Sequence, residues 1–318
     1  MNKNISNGFR FTDDPVDPVI YLKLKKDCFQ IQTLEDQFYW YHYQAPWGRS
    51  RFYTAWMDNR LVSSVAFLPL RLIYEGKERS GSIYVNAMTH PDFQKMGLNV
   101  ALLEMAAADA KSRHESCSIT FPTTLRHSVK GMLKAGWSHH ENLFYWELPR
   151  IPREGQVFAT QVPAFNLSVQ PLLDKLNNRI HLGVAKTVEF LNWRTAHRPD
   201  IKYELYQYGL HNQILGILVL KHYRTDKEKK THIMEIIADD DNYLELLLQT
   251  AEARALAVGS SCLNLWVSDH EINRSQISDY GFIPSSEKNM LFTRSCDDSL
   301  VLDSSSRDHF ALLDNDTY

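Results

Sequence analysis

The amino-acid sequence of 318 residues predicts an α/β (α+β) fold with two tandem domains, each built from a mixed, mostly antiparallel sheet flanked by helices. Three observations support this prediction. A β-prone strand, a tight loop and a helix follow one another over residues 82–113. Short strand-like segments joined by turns lie on both sides of this motif. The same order of elements then recurs in the second half of the chain.

The first half of the chain contains a series of short elements. It opens with a polar stretch, residues 1–37, for which we predict one short strand or helix. An aromatic-rich segment follows at 38–48, where Pro46 and Gly48 indicate a loop. The remaining predicted elements are strands at 51–55, 60–73, 82–89, 116–121 and 142–148, a turn at 75–77, and helices at 100–111 and 126–134.

A break in this pattern separates the two halves. Residues 147–155 carry two prolines and four charges, so we expect a domain boundary there, between domains of residues 1–150 and 151–318. Phe310, Leu312 and Leu313 give the acidic tail apolar anchors, which favours its packing onto the body over a mobile tail. The predicted elements of the second half are strands at 202–208, 213–223, 231–238 and 262–267, and helices at 172–182, 243–258 and 275–280.

The loop within residues 82–113 has the character of an anion site. Gly97 lies where the loop tightens into the helix, so several free backbone N–H groups point at one spot. The helix dipole favours negative charge at that spot. We therefore predict a phosphate cradle here, the alternative being an ordinary turn that contains a glycine. The cradle would consist of Gln94, Lys95, Met96, Gly97, Leu98 and Asn99.

Composition and charge argue against several classes of function. The formal net charge of −3 gives no reason to expect nucleic acid or an anionic membrane as a partner. Residues 1–11 lack the apolar run of a signal peptide, and no stretch approaches the ~20 apolar residues that span a bilayer. The four cysteines are isolated, as expected of reduced thiols in a cytoplasmic protein. No His/Cys cluster has zinc-site spacing, so no metal is expected.

Residues 94–99 resemble the acyl-CoA-binding motif of the GNAT acyltransferase superfamily, Gln/Arg-x-x-Gly-x-Gly/Ala. Asn99 departs from the small residue that usually ends this motif. A second hallmark of the family is a helix that ends in Gly-Phe or Gly-Trp before a final strand. Gly136 and Trp137, followed by the strand-like residues 142–148, match it. The resemblance implies GNAT-like domains in tandem, with acyl-CoA as co-substrate.

The resemblance distinguishes the two halves of the chain. The helix at 275–280 ends in Gly281 and Phe282, which matches the second hallmark again. Where the first half has its cradle, however, the second half has residues 239–242 with three Asp side chains. Like charges would repel a pyrophosphate there. We therefore expect one CoA site per chain, in the first domain.

In the family that the sequence resembles, a backbone N–H group at the end of the strand before the cradle polarises the thioester carbonyl. This position corresponds to Ala87 and Met88. Many members place the tyrosine that protonates the leaving thiolate where this chain has Met132. The departure is tolerable, because a thiol pKa of about 8.5 lets a thiolate leave at pH 7 for ~2 kcal/mol. The histidines considered as a general base are His42, His90 and His127.

Of these histidines, His90 is expected to be structural and His127 starts a short helix on the active-site side. An amine that arrives partly neutral would need no side-chain base.

The whole chain also resembles, through looser motifs, bacterial N-acyltransferases that act on nucleotide-linked amino sugars. This resemblance implies transfer of an acetyl or short hydroxyacyl group, such as 3-hydroxybutanoyl, to the amine of a dTDP-linked amino-deoxysugar for O-antigen or lipopolysaccharide synthesis. The residues expected to bind this acceptor are His42, Gln44, Trp47, Trp193, Arg194, Asp314 and Asp316. For the aromatic residues, core packing is the alternative.

Two other functions fit the sequence less well. One is a cell-wall aminoacyl transferase of tandem GNAT-like fold, which uses charged tRNA. The other is a module that binds CoA or an acyl ligand without catalysis.

Overall fold

The computed structural model describes residues 4–5, 8–122, 126–149, 155–226, 228–297 and 307–315, and the chain divides into two compact units. Unit 1 comprises residues 1–71, 79–140 and 290–303. Unit 2 comprises residues 72–78, 141–289 and 304–318. This partition differs from a single boundary near residue 150, because the chain leaves and re-enters each unit several times.

The first half has two short strands, a helix pair and three longer strands, after which helices and strands alternate. In chain order they are β1 (Asn4–Ile5), β2 (Phe9–Thr12), α1 (Pro18–Phe29), α2 (Glu35–Tyr43), β3 (Arg51–Met57), β4 (Arg60–Tyr74), β5 (Lys77–Thr89), α3 (Leu98–Ser112), β6 (Cys117–Thr120), α4 (Arg126–Lys134) and β7 (Ser138–Leu148).

The second half also contains alternating strands and helices. Its elements are β8 (Thr160–Val162), α5 (Gln170–Arg179), β9 (Leu182–Val184), α6 (Val188–Arg194), β10 (Glu204–Leu210), β11 (Gln213–Arg224), β12 (Lys229–Ala238), α7 (Asp241–Ala257), β13 (Cys262–Ser268), α8 (Arg274–Tyr280) and β14 (Ile283–Ser295). Short 3-10 turns lie at Pro91–Phe93, Leu167–Val169 and Leu312–Asp314.

In unit 1 the strands lie side by side in the order β1-β2-β3-β4-β5-β6, followed by the end of β14. Strands β5 and β6 are parallel, whereas β3 pairs with β2 and β4 in antiparallel fashion. The end of β14 pairs with β6, with Phe292 opposite Thr120. One core joins this sheet to α3 and α4, and Leu102, Leu103 and Met132 are nearly inaccessible to solvent within it.

In unit 2 the strand order is β7-β13-β12-β11-β10-β8, and the short strand β9 pairs with the end of β4. Strands β12 and β13 are parallel, and the other pairs in this sheet are antiparallel. Helix α7 packs its apolar stripe onto the sheet, as the spacing of its leucines predicts. The buried residues of that stripe include Leu244, Leu247, Leu248 and Ala251.

These features confirm the predicted fold class, a mixed α/β structure with mostly antiparallel sheets flanked by helices. Helix α4 has the predicted bounds, and the strands that were predicted after residue 50 are present with ends that agree to within about five residues. Strands β8, β9 and β14 were not predicted, and β9 begins at the last residue of the helix predicted at 172–182. The predicted packing of the tail is also present, because Phe310, Leu312 and Leu313 are buried in unit 2.

Two predictions for the first 48 residues are wrong. The polar stretch of residues 1–37 holds two strands, all of α1 and the start of α2 rather than one short element. The aromatic-rich segment is mainly helical. Residues 35–43 form α2, and this helix buries the side chains of Phe38, Trp40 and Tyr41.

Candidate active site

The predicted cradle forms a tight turn between β5 and α3. Lys95 and Gly97 both adopt positive φ angles, 66° and 79°, and Gly97 is the N-cap of α3. A glycine offers no side chain to cap the helix, so the first N–H groups of α3 keep their capacity for a ligand. A Cβ atom placed on Gly97 would have no atom within 4 Å, and Gln94 and Met96 are exposed. This turn has the geometry of an anion site at a helix N-terminus.

His90 holds the near side of the same turn. Its backbone N–H donates to the Val62 carbonyl at 2.9 Å, and its Nδ1 atom accepts from the Asp92 N–H group at 3.2 Å. The Arg60 guanidinium lies 2.6 Å from its Nε2 atom. Protein atoms thus lie close to both ring nitrogens, which agrees with a structural role for His90.

The end of β5 lies directly before the cradle and is distorted. Asn86 has a φ of 51°, which places it in the left-handed region within the strand. Ala87 after it is exposed, whereas Met88 is buried and its carbonyl accepts a hydrogen bond of 2.8 Å from Ser63 Oγ. A left-handed residue in a strand turns the following peptide groups out of the regular ladder.

Strand β6 does not follow β5 to its end. Within the described residues, the register of the parallel pair covers residues 81–83 of β5 and 117–119 of β6. Strand β6 stops at Thr120, whose Oγ1 atom donates to the Tyr84 carbonyl at 2.9 Å, while β5 continues to Thr89. The two strands thus stop pairing just before the residues predicted to bind the thioester carbonyl, Ala87 and Met88.

Asn99, the residue that departs from the family motif, has a defined partner. The Tyr84 hydroxyl donates to its Oδ1 atom at 3.1 Å. Its Nδ2 atom lies 3.6 Å from the position that a Cβ atom on Gly131 would take. The amide therefore ties the first turn of α3 to β5 and lies beside α4.

The two positions considered for proton transfer on α4 are Met132 and His127. Met132 is buried in the core of unit 1, where a tyrosine would be the usual proton donor. Helix α4 begins at Arg126, so its backbone includes His127, but the His127 side chain lies outside the described residues. Its role as a base stays a prediction.

The prediction that His42 binds substrate is wrong. The ring is 2% exposed and packs against Tyr21, Phe38 and Phe52, and its Nδ1 atom lies 2.8 Å from Ser50 Oγ. Burial, with a smaller effect of Lys25, lowers the pKa of His42 to about 3. The ring is therefore neutral and part of the core.

Gln44 and Trp47, by contrast, follow the end of α2. Gln44 is exposed and Trp47 is partly exposed. These two remain candidate contacts for an acceptor.

For the second half of the chain, the predictions that Trp193, Arg194 and Asp314 bind the acceptor are wrong, because all three side chains are buried. Trp193 and Arg194 are 4% and 2% exposed. The Arg194 guanidinium donates to the backbone carbonyls of Leu313 and Asn315, so no phosphate can take that place. Asp314 is 5% exposed and forms an ion pair with a buried lysine. Asp316 lies outside the described residues.

The matching turn in unit 2 is closed to an anion by its own side chains. Asp240 is the N-cap of α7, and its carboxylate accepts from the N–H groups of Asn242 and Tyr243 at 2.9 and 3.1 Å. Lys175 pairs with Asp239 at 2.8 Å. These contacts support the expectation that the only CoA site among the two turns is the one in unit 1.

Comparisons with known proteins agree with this geometry. Residues 15–139 match the family model described as an acetyltransferase (GNAT) domain. No curated protein matches the chain significantly. The matched segment contains the cradle, β5 and α4, so this part of the chain is similar to GNAT acetyltransferase domains.

Several solved structures share the fold over most of the chain. A GCN5-related N-acetyltransferase from Anabaena variabilis has a TM-score of 0.72 at 14% identity, over 91% of this chain and 73% of that one. A protein from Enterococcus faecalis, described as a probable N-acyltransferase, has a TM-score of 0.68 at 13% identity, over 91% and 72% of the two chains.

Saccharomyces cerevisiae N-myristoyltransferase with bound myristoyl-CoA has a TM-score of 0.65 at 10% identity, over 92% of this chain and 80% of that one. At such identities the likeness shows the fold, which is GNAT-like. Among the described residues, we find no helix with the length and apolar character needed to cross a membrane.

Proposed function

We propose that this chain is an acyl-CoA-dependent N-acyltransferase whose acyl-CoA site is the cradle of unit 1. The observation that carries the proposal is the N-terminus of α3, which Gly97 leaves without a side-chain cap, directly after the distorted end of β5. The GNAT match over residues 15–139 supports it, as does the N-myristoyltransferase with its bound myristoyl-CoA.

The reaction that this arrangement serves is direct transfer between two bound substrates. The amine attacks the thioester carbonyl carbon, a C–N bond forms, the C–S bond breaks, and the amine proton leaves through water. Backbone N–H groups near Ala87 and Met88 would stabilise the negative charge that develops on the carbonyl oxygen. The thiolate leaves without a side-chain acid, since Met132 cannot supply a proton.

For the acceptor we propose the amine of a nucleotide-linked amino-deoxysugar, with a dTDP-linked sugar as the first choice and acetyl or 3-hydroxybutanoyl as the acyl group. Gln44 and Trp47 are the predicted contacts that remain accessible. An aromatic wall beside a few polar groups is typical of such pockets. We propose a role in surface polysaccharide synthesis on the same grounds.

Thiol release from acetyl-CoA and 3-hydroxybutanoyl-CoA, measured with a panel of nucleotide-linked amino sugars, tests the acceptor. We expect release that depends on both substrates. Binding of CoA without release toward any amine would favour a sensor, and transfer only from aminoacyl-tRNA would favour the cell-wall enzyme.

Gly97→Asp tests the cradle independently of the acceptor. The carboxylate would stand where the pyrophosphate is proposed to bind, so calorimetric titration should detect no CoA binding, against one site per chain in the wild-type protein. Gly8→Asp is the matched control, because Gly8 has a φ of 81° and equally open space around its Cβ position. Unchanged affinity in Gly97→Asp, or two equal sites in the wild type, would refute the cradle.

A further inference from the structure

The described end of the chain, residues 307–315, is held in unit 2 like a bound peptide. Its first residues run between β9 on one side and the loop at 270–272 on the other, in parallel bridges with Gly183 and Glu271. Four backbone hydrogen bonds make these contacts: His181 N–H to Arg307 O at 2.8 Å, His309 N–H to Leu182 O at 3.0 Å, Asp308 N–H to His270 O at 2.9 Å, and Ile272 N–H to Asp308 O at 3.0 Å. Addition of a strand between two backbones is a known mode of peptide recognition.

Apolar pockets receive the side chains of this segment. Phe310 is 1% exposed, and Leu312 and Leu313 are not exposed at all. A small cavity of about 20 Å³ is lined in part by His309, Phe310 and Leu312. Burial of such side chains supplies affinity, and the alternation of backbone and pocket contacts fixes the register.

A series of buried charged side chains contacts two residues of the segment, His309 and Asp314. His309 places Nδ1 3.0 Å from Glu271 Oε1 and Nε2 3.0 Å from Glu235 Oε1. The other oxygen of Glu235 lies 2.7 Å from Lys186 Nζ, which in turn lies 2.6 Å from Asp314 Oδ1. Lys186 and Glu235 are completely buried. Without His309 and Asp314, unit 2 would hold two buried carboxylates and a buried ammonium with incomplete pairing.

We propose that unit 2 contains a peptide-binding groove for an Asp-His-Phe-Ala-Leu-Leu-Asp segment, filled by the end of this same chain, residues 308–314. Glu235 and Glu271 bind the histidine, Lys186 binds the final aspartate, and β9 pairs with the backbone of the segment. The groove shares no residue with the acyl-CoA cradle. The bound segment, which we call the latch, can be replaced by any copy of the same sequence. The natural alternative source of that sequence is a second molecule of the protein.

The experiment uses the intact chain with a protease recognition sequence introduced between residues 300 and 303. After cleavage, we expect the released end to stay bound through gel filtration. A fluorescent peptide of residues 307–318 should then exchange into the groove, as measured by anisotropy. The peptide with His309→Ala or Asp314→Asn should bind at least about tenfold more weakly, since the first change removes the partner of Glu271 and Glu235 and the second removes one of the two carboxylates that pair with Lys186. The peptide with Arg307→Ala is the matched control, because that side chain is exposed.

The outcomes separate cleanly. Immediate loss of the cleaved end with no change in thermal midpoint would overturn the proposal. Equal affinity of the His309→Ala and Arg307→Ala peptides would overturn the assignment of Glu235 and Glu271 as the groups that bind the histidine. If the cleaved protein precipitates, the thermal midpoint of the uncleaved Asp314→Asn variant tests the proposal instead. A thermal midpoint as high as that of intact Arg307→Ala would count against the latch.

Discussion

At the scale of the residue, burial rather than residue type decides what a charged or aromatic side chain does in this protein. Arg194 has the chemistry to bind a diphosphate, yet its guanidinium is committed to backbone carbonyls 119 and 121 positions away in sequence. Because such partners are distant, no local pattern distinguishes a buried arginine from one that binds a ligand. The place of Gly97 in the tight turn before α3 could be predicted because it depends only on the immediate backbone.

The titration of His309, which contacts the buried charges of unit 2, should make the stability of the protein depend on pH. Burial alone would lower its pKa, but Glu271 and Glu235 raise the pKa of His309 to about 10 from a value of 6.5. Since the folded-state pKa lies above the unfolded one, the contribution to stability is complete below pH 6.5 and is lost as the pH rises through about 10.

We therefore expect the urea midpoint of the wild-type protein to fall more between pH 6.5 and 10 than that of His309→Gln. Glutamine keeps hydrogen-bonding capacity without the titrating charge, so other titrating groups affect both proteins alike. Midpoints that fall in parallel would contradict a charged His309 in the folded state.

At the scale of the element, the sequence was most informative where a helix or strand has a clear apolar period and a marked end. Helix α7 shows this, with regularly spaced leucines and Asp240 as its cap. Helix α1 was missed because only Tyr21 and Leu24 are buried, so its apolar period is weak. Its start was nevertheless marked by Asp17, which caps the first turn, and by Pro18 in that turn. Those two residues were the signal that could have located it.

The link between β5 and α3 leads to a prediction about CoA binding. Asn99→Ala removes the hydrogen bond from Tyr84 that fixes the start of α3. Because this bond acts on CoA only through the position of the helix, its loss of about 1 kcal/mol sets an upper limit of roughly fivefold on the expected rise in the Michaelis constant for acyl-CoA. Tyr84→Phe should give a similar rise, and the double variant should add little to either single change. Fully additive effects in kinetics would show that the two residues act separately.

At the scale of the whole molecule, neither unit is a continuous stretch of chain. Unit 1 is completed by residues 290–303, and Phe292 is part of its core. The sequence could not show this, because the apolar run near the end of β14 would be buried whichever unit its strand joined. The boundary at 147–155 was inferred from local composition, which carries no information on the later return of the chain.

A fragment of residues 1–150 is therefore expected to lack a cooperative thermal transition and near-ultraviolet circular dichroism. It would miss the strand that covers β6 and the ring of Phe292. The matched control is the same fragment joined by a flexible linker to residues 283–297, which should recover both signals. Cooperative unfolding of the unmodified fragment at the midpoint of the full chain would contradict this prediction.

The pairing of β6 with the end of β14 also sets an order of events during synthesis. Thr120 and its partner Phe292 are separated by about 170 residues, which a ribosome adds in roughly 10–30 s. Throughout that interval the nascent chain presents β6 with one open edge, although all four of its residues are apolar or buried in the finished protein. An unpaired edge of this kind is a template for association with other chains. Translation speed and chaperone supply thus become determinants of yield for unit 1, because its sheet is completed only after the end of β14 has been made.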